Sequence, residues 1–248
     1  MRVIAIVQAR MGSSRLPGKV LAELGGATML AQVVRRLRTA RRLDEIVVAT
    51  TSTAADDAVV REAGRLGAGV HRGAEHDVLA RYLGAARSYR ADAIVRVTAD
   101  CPLIDGAVVD RVIGALADDV DYASNTVVRR YPRGLDAEAL HRDTLERIGR
   151  MARTPAAREH VTALVREQPA WFCTADVVPA SDVDDSDLRW TVDTDADLAM
   201  ARGLYDALGL ADAAIGYRDV VAAVRARPEL AALNAHVIQK PWQDCHVA

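Results

Sequence analysis

Gln8-Ala9-Arg10-Met11-Gly12-Ser13-Ser14-Arg15-Leu16-Pro17-Gly18-Lys19 follows the apolar run Val3-Ile4-Ala5-Ile6-Val7, and the fold is decided by how these two pieces are read together. A short β-branched run reads as a buried parallel strand, and the segment after it carries two glycines, two serines and three cations. Glycine lets a backbone approach phosphate oxygens, and successive amides form an anion-binding concavity. Arg10 and Arg15 can each grip two oxygens, while Lys19 is a movable point charge. The segment reads as a seat for a nucleoside triphosphate, the plain alternative being a cationic surface loop between a strand and a helix. Its spelling matches neither G-x-x-x-x-G-K-[ST] nor G-x-G-x-x-G, which excludes the P-loop and the dinucleotide fingerprint.

Composition sets the frame. The 248 residues, half of them apolar, can bury one sizeable α/β core. A formal charge of -2 excludes a protein that coats nucleic acid, so positive charge matters locally. Cys101, Cys173 and Cys245 form no C-x-x-C pair, which argues against a disulfide framework and a zinc site. With no leader and no apolar stretch of roughly 18 residues, the expectation is a cytoplasmic protein that is neither exported nor inserted in a membrane.

Along the chain, strands and helices alternate. Thr28 can cap a helix whose Leu30, Val33, Val34 and Leu37 share one face, with Arg35, Arg36, Arg38, Arg41 and Arg42 read as its solvated side and end rather than as a nucleic-acid patch. A strand over 46–50, a helix over 56–66, a third strand starting at 69–71 and an Asp77-capped helix to about Tyr89 continue the βαβ rhythm. His71 and His76 read as ordinary loop histidines. The strand over 93–98 runs into Asp100, which is then either a turn residue or a ligand at the sheet edge where open α/β folds bind substrates. Asp105 reads as the cap of a helix reaching Leu116.

After a strand over 121–124, the basic, Pro- and Gly-punctuated segment 127–138 breaks the rhythm, and insertions on a ligand edge tend to choose the substrate. Helices are expected over 142–153 and 155–167, and a strand over 171–178. Asp182, Asp184, Asp185 and Asp187 read as a solvated loop, because the glycine and closing glutamate of a calcium loop are missing. Another short strand from Arg189 should end in Asp193, before a helix capped by Thr194 or Asp195. One further helix and a tail are expected from Tyr217 onward, the tail returning to the pocket or docking on a second subunit.

The run Ala9 to Lys19 resembles A-R-x-x-S-x-R-L-P-G-K, a signature of sugar nucleotidylyltransferases, in particular the cytidylyltransferases that include CMP-3-deoxy-manno-octulosonate synthetase and the spore-coat polysaccharide protein F group. Five further segments carry the same resemblance, which covers most of residues 1–210. Residues 72–81 resemble the segment that closes over base and ribose, with Arg81 its basic residue. Asp100-Cys101-Pro102-Leu103 resembles D-x-P-L, whose aspartate holds Mg2+. Tyr131-Pro132-Arg133-Gly134-Leu135-Asp136-Ala137-Glu138 resembles an acceptor-facing motif, and Arg158-Glu159-His160-Val161-Thr162 matches a second one letter for letter. Val192-Asp193-Thr194 begins a motif whose aspartate is the second metal ligand.

The resemblance implies a Rossmann-like three-layer αβα fold, that of nucleotide-diphospho-sugar transferases, with a mostly parallel sheet and an inserted substrate or dimer arm. Residues 1–210 would form the nucleotidyltransferase domain, with the insertion at 121–178, and 211–248 would pack on it. Expected nucleotide contacts are Gln8, Ala9, Arg10, Gly12, Ser13, Arg15, Lys19 and Arg81, with Arg15, Lys19 and Asp100 catalytic. Asp100 and Asp193 would hold Mg2+. Arg133, Asp136, Glu138, Arg158 and His160 would face a small anionic acceptor. Such an enzyme joins CMP from CTP to that acceptor and releases pyrophosphate, acting as a homodimer without nucleic-acid or membrane partners. Two alternatives stay open: a glycosyltransferase using Asp193-Thr194-Asp195 as its D-x-D, and a nucleotide sensor without turnover.

Overall fold

Ile4, Ala5, Ile6 and Val7 are fully buried, so the first strand must be flanked by strands and covered on both faces. The computed structural model, which describes residues 1–180, 183–213 and 215–239, meets both demands. Val3–Gln8 (β1) leads through a 3₁₀ turn and a small hairpin, Glu23–Leu24 (β2) and Ala27–Thr28 (β3), to the helix Met29–Leu37 (α1). Glu45–Thr51 (β4), Asp57–Arg65 (α2), Gly69–Gly73 (β5), Val78–Ser88 (α3), Ala93–Thr98 (β6) and Gly106–Gly114 (α4) continue the alternation. Tyr122–Ser124 (β7), Glu138–His141 (β8), Arg142–Met151 (α5), Pro155–Glu159 (α6), Ala163–Glu167 (α7) and Thr174–Asp176 (β9) follow. Asp195–Leu208 (α8), Tyr217–Arg225 (α9) and Pro228–Ala232 (α10) complete the described chain.

Seven strands form one sheet in the order β5-β4-β1-β6-β8-β7-β9. The β5, β4, β1 and β6 strands are parallel, and β8 runs antiparallel to both β6 and β7. The alternation of β1 sends Val3, Ala5 and Val7 to the face covered by α1, α2 and α4, and Ile4 and Ile6 to the face covered by α3 and α5 through α7. A third apolar cluster, built around Trp190, Tyr205 and Tyr217, fastens α8 and α9 beside the hairpin. No described helix is long and apolar enough to cross a membrane.

Local hydrogen bonds put the helix starts where the side chains offer them. Thr28 accepts from Ala31 N, Asp77 from Ala80 N and Asp105 from Val108 N. Elsewhere tertiary contacts overrule the sequence pattern. Arg36 is 2% exposed, donating to Ile104 O at 2.7 Å and Ile215 O at 2.9 Å, and Arg35 is spent on the carbonyls of Leu210 and Ala211. Those two arginines tie α1 to later loops instead of lining a solvated face. The expected helix over 155–167 is two helices, because Val161 takes a left-handed φ of 55° between them. The strand expected from Arg189 is only an isolated bridge, Arg189 to Arg133. The one expected over 171–178 shortens to β9, and two helices follow Tyr217 instead of one. Asp185 and Asp187 are held by Arg225. Asp182 and the tail from Lys240 to Ala248, Cys245 included, lie outside the described residues.

The insertion is pinned at Gly134. Its φ is 111°, and a Cβ there would lie 2.6 Å from Thr191 N and 2.7 Å from the carbonyl carbon of Trp190. Gly134→Ala therefore combines left-handed strain with overlap against backbone and should lower stability by about 3 kcal/mol. Thermal unfolding checks this, and an unchanged midpoint would contradict it.

Candidate active site

The loop after β1 closes on its own backbone. Met11 O accepts from Ser13 N at 3.0 Å and Gly18 N at 2.9 Å, and Met11 N donates to Asp56 Oδ1 at 2.7 Å. Gly18, at φ 72°, supplies the left-handed residue that starts the 3₁₀ turn and sends Lys19 inward. Lys19 is 8% exposed. Its Nζ donates to Asp100 Oδ2 at 2.7 Å, Asp193 Oδ1 at 2.8 Å and the Val192 carbonyl at 2.8 Å.

Each carboxylate is aimed by its own loop. Asp100 follows β6 and accepts from Thr98 Oγ1 at 2.5 Å, while Val192 N donates to Asp100 O at 2.8 Å and joins the two loops. Asp193 presents Oδ2 to Arg15 and to Arg189, both at 2.9 Å. Burial alone would raise the Asp100 pKa and lower that of Lys19, but their mutual attraction outweighs it. Asp100 accordingly sits below the usual carboxylate range and Lys19 above the usual lysine value.

Two cavities meet here. The first, about 210 Å3, is lined by Gln8, Arg10, Gly12, Ser13, Arg15 and Lys19 of the loop. The second, about 300 Å3, is lined by Arg133, Asp136, Glu138 and His160 together with Asp193. Arg15, Thr98 and Asp100 line both.

Three expected contacts stand elsewhere. Ala9 is buried under the loop, with its N–H on Ala49 O. Arg81 is fully buried and donates to the carbonyls of Ala74 and Glu75, so it buttresses the 72–76 loop from behind and lines neither cavity. Arg158 is spent on Asp77 at 2.6 Å. Two carboxylates expected to face the acceptor already have partners. Asp136 is gripped by both arms of Arg129, at 2.7 and 2.9 Å, and Glu138 accepts from Arg96, Tyr122 Oη and Thr162. Arg130, outside both cavities, reaches Asp184 at 4.0 Å.

Sequence reasoning missed Arg96 and Arg166, which also line the second cavity. Arg96 sits inside the strand expected over 93–98, and a cation in a buried strand was itself the signal, since it needs a buried partner. Among the described residues neither Arg133 nor Arg166 has a carboxylate at ion-pair distance. Asp195, the second acid of the D-x-D spelling, opens α8 and lines neither cavity.

A parallel sheet whose ligand edge carries a cationic glycine loop and two convergent carboxylates defines a nucleotidyltransferase class of site. Residues 4–186 match the family model described as cytidylyltransferase, and the chain belongs to that family. It is 34% identical over 245 residues to uncharacterized protein MJ1063 of Methanocaldococcus jannaschii, covering 98% of this chain and 99% of that one. It is 32% identical over 213 residues to the spore coat polysaccharide biosynthesis protein SpsF of Bacillus subtilis, with 84% and 88% covered. A solved cytidylyltransferase from Leptospira borgpetersenii superposes with a TM-score of 0.88 at 32% identity, covering 93% of this chain and 97% of that one.

The carboxylate pair depends on its cation. Lys19→Met should cost about 3 kcal/mol at pH 7, because the half-buried Asp100 is left without its counter-charge. In the unsubstituted chain the depressed Asp100 pKa contributes stability above the unfolded carboxylate range, and that stability is lost as pH falls through the folded value. In the variant Asp100 is instead relieved by protonation, so the gap between the two unfolding curves should narrow below about pH 5. A gap independent of pH would contradict this.

Proposed function

We propose that the chain joins CMP from CTP to a hydroxyl of a small anionic acceptor and releases pyrophosphate. The observation that carries this is the meeting of two compartments at Arg15, Thr98 and Asp100. A triphosphate in the first compartment would bring its α-phosphate to the boundary, within reach of an acceptor in the second. The acceptor hydroxyl oxygen attacks the α-phosphorus and gives up its proton to solvent, while the bond from the α-phosphorus to the bridging oxygen breaks and pyrophosphate leaves with that oxygen.

In-line transfer of this kind is promoted by positioning and charge stabilisation. Arg15 and Lys19 would take up charge on the departing pyrophosphate, with Gly12 and Ser13 bordering the phosphates and Arg10 at the mouth. Lys19 stands between the loop and both carboxylates, and its flexible stem can turn the ammonium from acid to phosphate. Arg133 and Arg166 would attract the acceptor's anionic group, with His160 on the same wall. Arg129 and Arg96 fix Asp136 and Glu138 as acceptors for its hydroxyls. Gln8 Oε1 is buried, has no hydrogen-bond partner among the described residues, and suits the exocyclic amine of cytosine.

Asp100 and Asp193 fit a divalent ion such as Mg2+, because one oxygen from each already converges within 2.8 Å of a single cationic nitrogen. No group of three or more ligand side chains exists among the described residues. A metal completed by phosphate oxygens and water matches that count. When bound it would supply charge neutralisation on the phosphates.

Pairing of two copies through the insertion belongs to this reading, with Val127 and Val128 exposed there, and so does a cytoplasmic place in surface polysaccharide or secondary metabolite assembly. The D-x-D glycosyltransferase reading has no support from Asp195.

A screen of nucleoside triphosphates against sugar acids and phosphonates, read by pyrophosphate release, tests the proposal. CTP should be preferred and EDTA should stop the reaction. Arg15→Ala and Asp100→Asn should each lower the rate by about 10² to 10³ with circular dichroism unchanged. Near-normal rates in both variants, or release of a nucleoside monophosphate or diphosphate instead, would overturn it.

A further inference from the structure

We infer that residues 234–239 form a C-terminal strap that positions the Asp193 carboxylate, acting through Arg189 and Asp197. The inference rests on the reading of the Asp100 and Asp193 pair as the phosphate-side metal site.

Arg189 is the hub. One guanidinium nitrogen, Nη2, holds Asp193 Oδ2 at 2.9 Å, Nε holds Asp197 Oδ1 at 2.8 Å, and Nη1 donates to Gln239 Oε1 at 2.6 Å. Asp197 is fully buried and takes more than one role. Its Oδ2 accepts from the backbone N–H of Asp193 and of Thr194, both at 3.0 Å, completing the capping box that starts α8. Of this linked pair, Arg189 therefore helps hold the Asp193 carboxylate and Asp197 holds its backbone N–H.

Those partners are in turn held by the strap. Asn234, 3% exposed, donates through Nδ2 to Arg189 O at 3.0 Å and to Asp197 Oδ1 at 2.9 Å. Gln239 is exposed, grips the free end of the same guanidinium and lines the larger cavity. Asn234 and Gln239 thus hold Arg189 from opposite ends of a segment that crosses from α10 to the cavity rim.

Arg189, held at its backbone carbonyl by Asn234, at Nε by Asp197 and at Nη1 by Gln239, has few ways to swing away from Asp193. Released at one end, it can follow Asp197 alone, and Asp193 loses one of the two guanidinium groups that aim Oδ2. The strap is needed where Asp193 must hold one geometry while charge builds around it. Binding of the free nucleotide, governed by the loop after β1, does not require it. Asn234 and Gln239 are positioning residues, since among the described residues their amides reach the carboxylate only through Arg189 and Asp197.

Calorimetric titration of the full chain with CTP, in Mg2+ and separately in EDTA, tests this with unsubstituted protein, Asn234→Ala and Gln239→Ala. In Mg2+ each variant should bind CTP about fivefold to tenfold more weakly, while the affinity in EDTA stays within about twofold of the unsubstituted chain. Gln239 is exposed, so its variant should also unfold at the unsubstituted temperature even if Asn234→Ala does not. Equal affinity in Mg2+ for Gln239→Ala, or an equal loss in EDTA, would overturn the strap. Failure of the unsubstituted chain to bind CTP in either condition would instead overturn the underlying nucleotide reading, and the strap with it.

Discussion

One ammonium group between two carboxylates organises this molecule. Lys19 arrives from the first loop, Asp100 from the end of β6 and Asp193 from the approach to α8, and the two outer partners are 174 residues apart. Separately, each would be a partly buried charge that a protein interior penalises. Together they hold three segments of chain at one point, with the Val192 carbonyl taking the remaining Lys19 donor. That point lies on the sheet edge where β6 ends, so the demand for charge balance also sets the wall shared by the two cavities.

The two cavities differ in how their charges are matched. The smaller, of about 210 Å3, is bordered by the cations Arg10, Arg15 and Lys19 of a loop closed on Met11. Around the cavity of about 300 Å3 most arginines are matched: Arg96 to Glu138, Arg129 to Asp136 and Arg15 to Asp193. Matched pairs shape the wall and present oriented acceptors, and only a surplus draws in an anion. Arg133 and Arg166 are that surplus among the described residues. Arg133 carries a pKa lowered by burial and by the neighbouring Arg129. A guanidinium made less comfortable by burial and by like charge gains most from an incoming negative group.

Much of the scaffold is legible in the sequence because it is set by near neighbours. The caps at Thr28, Asp77 and Asp105 each need only a side chain three residues before an N–H. The parity of Val3 to Val7 fixes which residues face which helical layer. The site was legible chiefly through spelling: the A-R-x-x-S-x-R-L-P-G-K run locates the loop, but nothing local says that Lys19 points inward at Asp193. What sequence could not supply is long-range. Arg36 looks like a member of a solvated basic face until Ile104 and Ile215 offer their carbonyls. Arg158 reads as an acceptor ligand until Asp77, 81 residues earlier, claims it. Val161 breaks a helix that composition favours, and Asn234 acts on a network centred 37 to 45 residues away.

The most direct measurement is a crystal structure of the chain with Mn2+ and a CTP analogue whose α,β-bridging oxygen is replaced by methylene, with anomalous scattering locating the metal. The expected result is one anomalous peak within ligand distance of an oxygen from each of Asp100 and Asp193, with Lys19 turned from both acids to the phosphates. A metal bound elsewhere, with the Lys19 ammonium still seated between the two carboxylates, would contradict the account.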